Sequence, residues 1–171
     1  SVMKVAIIGA GPRGLWASEE LMERSRERGA AIDVTVFDAK PLEESSAPGA
    51  FRDSVPEEFI LNAPKSIVET KLGPLDPNDE LPGDFPSRKH VGEHLDKSWC
   101  ALEENLPPRC SLTHRVENIE MVEPTDSGVD VLGEHFDEVL MVTGHAHDWP
   151  GSLAHADLGE LKVVAPAYPP S

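Results

Sequence analysis

Gly9, Gly11 and Gly14 are the densest chemical signal in the chain, because they follow the apolar run Val5-Ala6-Ile7-Ile8 directly and open onto a helix-forming stretch. Glycines at this spacing between a strand and a helix suit a pyrophosphate. Gly9 permits the tight turn, Gly11 lets the backbone approach the phosphates, and Gly14 lets the helix pack closely on the strand. The amides that begin the helix, and the helix dipole, both favour negative charge there. Ala10, Pro12 and Arg13 complete the turn, and Pro12 suits a first helical position, where an amide has no intrahelical partner to lose. The second chemical group is Asp38, which closes the short β-branched run Val34-Thr35-Val36-Phe37. A right-handed crossover makes that run the neighbour of the first strand and brings Asp38 beside the glycine turn. A carboxylate in that place accepts hydrogen bonds from ribose hydroxyls.

These residues need a parallel sheet to hold them. After the turn, Leu15, Leu21 and Met22 among polar neighbours predict a helix that ends near Arg28-Gly29. Proline and glycine then punctuate the segment 39–87, which reads as an irregular insertion with one ordered piece, Glu58-Phe59-Ile60-Leu61-Asn62-Ala63-Pro64. From Ser87 to about Leu106, Val91, Leu95, Trp99 and Leu102 recur at helical spacing until Pro107-Pro108. Val116, Ile119, Met121 and Val122, a turn at Thr125-Asp126-Ser127-Gly128, and Val129 and Val131 predict an antiparallel β-meander. The run from Phe136 to His145 reads as a third buried parallel strand. The fold class is therefore α/β, a Rossmann-like dinucleotide-binding domain over 1–150 with a parallel central sheet and an antiparallel β-meander. Residues 151–171 form a tail rich in proline and alanine.

Composition narrows the partners. A chain of 171 residues supports one domain, and its net charge of -16, from 31 acidic and 15 basic residues, opposes nucleic acid and anionic membranes. No apolar run reaches the length of a membrane span, and the first residues enter a strand without a secretory pattern, so a cytoplasmic location is expected. Cys100 and Cys110 have no Cys-x-x-Cys spacing and read as reduced thiols. His145-Ala146-His147-Asp148 offers three metal ligands without a fourth, and reads as a loop beside the cofactor rather than a metal site. His90 and His94 lie four apart on a helix but lack the zinc-protease glutamate, and read as solvated or capping residues. Trp16, Trp99 and Trp149 read as packing residues, and Glu43-Glu44 and Asp79-Glu80 as solvated loop charges. No nucleophile elbow or Walker turn occurs, and no catalytic acid or base is identified.

The glycine fingerprint, an acidic residue closing the second strand and a late strand ending in Thr143-Gly144 together resemble the flavin-binding half of flavoproteins with two dinucleotide-binding domains. More narrowly, Leu61-Asn62-Ala63-Pro64, the stretch from Phe85-Pro86-Ser87-Arg88 to Leu95, and Val142-Thr143-Gly144-His145 resemble motifs of the FAD/NAD(P)-binding protein family. That family is distantly similar to flavin-dependent N-hydroxylating monooxygenases. The resemblance implies FAD as the cofactor, with Gly9, Ala10, Gly11, Pro12, Arg13 and Gly14 at its pyrophosphate and Asp38 at its adenosine ribose. It further implies that Val116, at the start of the meander, meets the adenine through its backbone. Asn62 and Arg88 would lie toward the flavin, and Thr143 and Gly144 near the diphosphate or ribityl chain. It implies a FAD-dependent, NAD(P)H-using oxidoreductase or monooxygenase, whose NAD(P)H would be held by a second domain following the Tyr168-Pro169 segment. The alternatives are a non-catalytic dinucleotide-binding or sensing module and an NAD(P)-dependent dehydrogenase fragment.

Overall fold

The computed structural model describes residues 1–39 and 57–143. Strand β1 (Met3–Ile8) leads into helix α1 (Pro12–Arg28), and the chain returns as β2 (Ile32–Asp38), parallel to β1 with Val5 opposite Val34 and Ile8 opposite Phe37. Both strands are apolar on both sides because both sides are covered. Val5, Ile7, Val34 and Val36 belong to one apolar cluster, while Ala6, Ile8 and Phe37 belong to the other. α1 ends where Gly29 adopts a left-handed conformation (φ 62°), just after Arg26 and Arg28, whose charges suit the negative end of the helix dipole.

Residues 57–87 are mostly irregular, with a single 3-10 turn at Lys65–Ile67 and a hairpin of two short strands, β3 (Glu69–Thr70) and β4 (Gly73–Pro74). Lys65 clasps this segment. Its ammonium reaches Asp76 (2.8 Å), Asp79 (2.6 Å) and the Leu81 carbonyl (2.6 Å), while Asp76 also accepts the amides of Glu80 and Leu81. Asp79 is thus paired rather than simply solvated. Helix α2 (Arg88–Glu104) starts at the N-cap Ser87, whose hydroxyl accepts the His90 amide at 3.1 Å. The β3–β4 hairpin docks on α2 through Thr70, 2.6 Å from Ser98 Oγ, and through His94 Nε2, 3.0 Å from the Gly73 carbonyl. His94 is therefore buried, against the expectation of a solvated or capping residue; His90 does sit at the cap, with Nδ1 3.0 Å from the Ser87 hydroxyl. Trp16, expected to pack, is exposed on α1.

The chain then adds β5 (Ser111–Val116) parallel to β2, an antiparallel meander of β6 (Glu123–Thr125), β7 (Gly128–Val131) and β8 (Glu134–Phe136), and β9 (Glu138–Met141) parallel to β1. The sheet order is β5-β2-β1-β9. Leu15 and Met22 of α1 and Val91, Leu95 and Trp99 of α2 fill one face; Val131 and Phe136 of the meander fill the other. Phe136 meets Phe37 edge to face at 6.0 Å, with Lys4 and Arg115 over the two rings and both cations on Glu134, at 3.0 and 2.9 Å. Among the described residues, no helix is long and apolar enough to cross a membrane.

Two strand expectations are corrected. The run from Phe136 onward is not one buried parallel strand: Phe136 closes the meander, and β9 begins only after Asp137, which exchanges two hydrogen bonds with the Lys4 backbone (2.7 and 2.8 Å) as the chain crosses between layers. β9 is an edge strand among the described residues, so Leu140 and Met141 are exposed. Val116 does not begin the meander but ends β5, opposite Asp38. Residues 117–122 carry no regular structure, and Met121 is exposed.

The β7–β8 turn consists of Leu132 and Gly133, both left-handed (φ 51° and 77°), a conformation that costs a leucine about 1–2 kcal/mol. Replacing the exposed Leu132 by Asn, the residue such hairpin turns favour, is expected to stabilise the protein by about 1 kcal/mol. The readout is a higher urea midpoint at unchanged slope. A lower midpoint would show that Leu132 makes contacts worth more than its backbone strain.

Candidate functional site

The carboxyl ends of β2, β1 and β9 meet at the glycine turn. Gly9 has φ 117°, and its amide donates to the Phe37 carbonyl at 2.8 Å. A Cβ there would lie 2.6 Å from the Val142 carbonyl and 3.2 Å from the Thr143 amide, so the end of β9 leaves no room for a side chain and Thr143 stands beside the turn. A Cβ on Gly14 would run into the Gly9 carbonyl oxygen, which sets how closely α1 approaches β1. Gly11 differs from both, because nothing lies within 4 Å of where its Cβ would stand. α1 has Gly11 as its cap, Pro12 in its first turn, no side-chain cap and no acidic residue in that turn. Arg13 there is exposed. Its leading amides therefore face outward with the positive end of the dipole, the arrangement that receives an anion.

Asp38 stands at the end of β2, and its Oδ2 accepts the Ala10 amide at 2.9 Å. On the other side of the same residue, the Ala10 carbonyl accepts the Trp99 indole N–H at 3.3 Å. The Trp99 ring in turn meets His114 edge to face at 4.7 Å. His114, in β5 opposite Val36, lies 3.0 Å from Glu103 without the alignment of a hydrogen bond. Burial pushes the His114 imidazole below its ordinary 6.5, against the opposing pull of Glu103 and Asp38, and burial likewise lowers His94. Beside Asp38, the Glu117 amide donates to the Asp38 carbonyl at 2.9 Å. In a parallel ladder that bond leaves the N–H and C=O of Val116 pointing away from β2, at what is the edge of the sheet among the described residues.

Asn62 and Arg88 come from segments joined by an antiparallel bridge, Ile60 to Ser87, with the Leu61 amide on the Pro86 carbonyl and the Arg88 amide on the Phe59 carbonyl, each at 2.8 Å. About 16 Å of helix axis separates Arg88 from Trp99, whose indole bonds the Ala10 carbonyl in the turn. Gly144, His145, His147, Asp148 and Trp149 lie outside the described residues, among which no cluster of metal ligands occurs. Sequence reasoning missed β5 as a parallel strand and the bond from Trp99 to Ala10. The first had a signal, since a helix stopped by Pro107-Pro108 in an α/β chain should be followed by a strand. The second had none, since an apolar stripe does not reveal where an indole N–H points.

The comparison that decides the assignment is with protein families, where the FAD-NAD(P)-binding family model matches residues 6–146. The chain belongs to the FAD-NAD(P)-binding family. No curated protein matches its sequence. Family and fold agree: this is an α/β Rossmann-like domain for a flavin or nicotinamide dinucleotide, and the candidate site is at the place where strand order reverses on either side of β1. The residues present fit such a ligand. The space beside Gly11, the uncapped first turn of α1 and the carboxylate of Asp38 are the three features that a pyrophosphate joined to a ribose requires.

Two consequences can be measured. Gly14→Ala forces the Gly9 carbonyl and α1 apart and is expected to cost about 1–3 kcal/mol of stability, whereas Gly11→Ala, facing open space, should leave stability within about 0.5 kcal/mol. Equal losses would show that the two glycines share one structural role. For the histidines, the folded state holds protons less tightly than the unfolded chain, so their stabilisation is complete above 6.5 and is lost as pH falls from there through the lowered values. Urea midpoints followed from about pH 7.5 to about pH 5.5 should therefore decline, and His114→Gln should flatten the decline. An identical slope in the variant would remove His114 from the account.

Proposed function

We propose that this domain holds FAD in a FAD-dependent, NAD(P)H-using oxidoreductase or monooxygenase. The observation that carries the reading is the glycine turn with Asp38 at its side, inside a chain that matches the FAD-NAD(P)-binding family. FAD rather than NAD is favoured by two features: the antiparallel meander that joins β5 to β9 in place of a crossover helix, and Thr143, two residues past the end of β9, beside Gly9. Both belong to the flavoprotein resemblance. When bound, FAD supplies redox chemistry at its isoalloxazine. The protein's part is binding and orientation. Gly11 and the first turn of α1 receive the pyrophosphate, the Asp38 carboxylate receives ribose hydroxyls, and the outward backbone of Val116 meets the adenine edge. Asp38 also repels a 2′-phosphate, which disfavours NADP in this site. Thr143 lines the path away from the turn, and the segments of Asn62 and Arg88 lie toward the flavin. NAD(P)H belongs to a second dinucleotide-binding domain in this reading.

The test is the absorbance spectrum of the purified protein after incubation with excess FAD and desalting. Retained flavin absorbance is expected, and Asp38→Ala should weaken FAD binding about tenfold or more through the lost charge-assisted hydrogen bonds. Protection against heat by NAD but not by FAD would replace this reading with the nicotinamide dehydrogenase. FAD binding without NAD(P)H oxidation by the protein joined to its second domain would favour a sensing module.

A further inference from the structure

We infer that Trp99 is a positioning residue for the pyrophosphate, acting through the peptide between Ala10 and Gly11. The inference rests on the dinucleotide reading of the glycine turn. Ala10 is held from both sides: its amide donates to Asp38 Oδ2 at 2.9 Å, and its carbonyl accepts the Trp99 indole N–H at 3.3 Å. A peptide is planar and trans, so its C=O and N–H point in opposite directions. Drawing the Ala10 carbonyl toward α2 therefore turns the Gly11 N–H the opposite way, away from α2, in a turn where no atom crowds the Cβ position of Gly11. That amide is the donor nearest the helix cap, and its direction is free to vary in a glycine-rich turn unless something fixes it. Trp99 is well suited to fix it. It is 2% exposed, it lies in the apolar cluster with Val91 and Leu95, and its ring is braced by the edge of His114. The donor is thus set by the core of the domain before any ligand arrives, which removes an ordering cost from binding.

The experiment compares wild type with Trp99→Phe, which keeps an aromatic ring in the core but removes the N–H donor together with part of the indole's volume, a packing loss that the urea measurement reads separately. Binding of ADP-ribose and of adenosine is followed by amide NMR titration, and unfolding by urea. ADP-ribose is expected to bind about tenfold more weakly to the variant, as for loss of one well-aimed hydrogen bond to a charged group, while adenosine binding is unchanged. A general loosening of the fold would weaken both ligands, and that result would overturn the proposal. So would equal ADP-ribose affinity in the two proteins. Should the variant fail to fold, the wild-type protein decides: the Gly11 amide and one indole N–H are expected to shift on adding ADP-ribose but not adenosine, and a Gly11 signal indifferent to ADP-ribose refutes the role. If wild type binds neither ADP-ribose, FAD nor NAD, the dinucleotide reading itself fails, an outcome distinct from a variant that binds as wild type does.

Discussion

Where α1 leaves β1, the α-carbon of Gly14 sits so close to the Gly9 carbonyl that a methyl group would not fit between them. That contact sets the distance between the helix layer and the sheet, and it also fixes the start of α1 in front of the strand ends. Its consequences spread along the chain. With α1 held this close, Leu15 and Met22 reach the β1 and β2 side chains, and the same apolar layer continues into Val91, Leu95 and Trp99 of α2. Because α2 is seated by that layer, Trp99 arrives at the height of Ala10 and can bond its carbonyl. The glycine turn and the core that stabilises the domain are therefore built as one unit. A change at Gly14 is felt at Trp99 through packed side chains, which yield little in a dense interior.

The two faces of the sheet are closed by different physics. The helix face relies chiefly on apolar burial, with each large side chain contributing about 1.5–3 kcal/mol, and a few buried hydrogen bonds such as Trp99 to Ala10 fix its details. The meander face is smaller, and its apolar centre of Phe37, Phe136 and Val131 is rimmed by Lys4 and Arg115, which cover the two rings and share the carboxylate of Glu134. Those ion pairs are partly exposed and individually worth little. Their geometric effect is larger, because one carboxylate draws together residues from β1, β5 and β8 and so pins the meander against the parallel sheet. The meander thereby carries the chain over one face from β5 to β9 and delivers Thr143 to the glycine turn without a helix on that side.

What the sequence made legible follows from how local each cause is. Glycines with a positional reason, β-branched strands buried on both faces and a helix bounded by Ser87 and Pro107 are local signals, and α1, β1, β2 and α2 appear where those signals put them. β5 was harder, because Ser111-Leu112-Thr113-His114-Arg115-Val116 alternates like a half-exposed strand, and its parallel pairing with β2 depends on a partner far away in the chain. The join at Asp137 was hidden for the same reason: its carboxylate and amide are satisfied by Lys4, at the other end of the domain. In the site, the residue types could be read, but not the double hold on Ala10. A hydrogen bond from an indole in α2 to a carbonyl in the first turn exists only once both layers are assembled.

Electrostatics presents the site with a problem of range. Acidic residues outnumber basic ones by 31 to 15, and a dinucleotide brings two more negative phosphates. At physiological salt, exposed charges act over about 8 Å, so most of that excess reaches the ligand only as a screened background. The first turn of α1 has a different composition from the chain as a whole. It holds no acidic residue, its cap is a glycine with no competing side chain, and Arg13 is a cation in the same turn. The aligned peptides add the equivalent of about half a positive charge at that end. Asp38 stands beside the turn, and one of its oxygens is fixed against the Ala10 amide by a hydrogen bond of 2.9 Å. An acidic protein can therefore carry an anion site, provided the few groups within screening distance are arranged by the backbone, and here the arrangement begins with three glycines and the peptide between them.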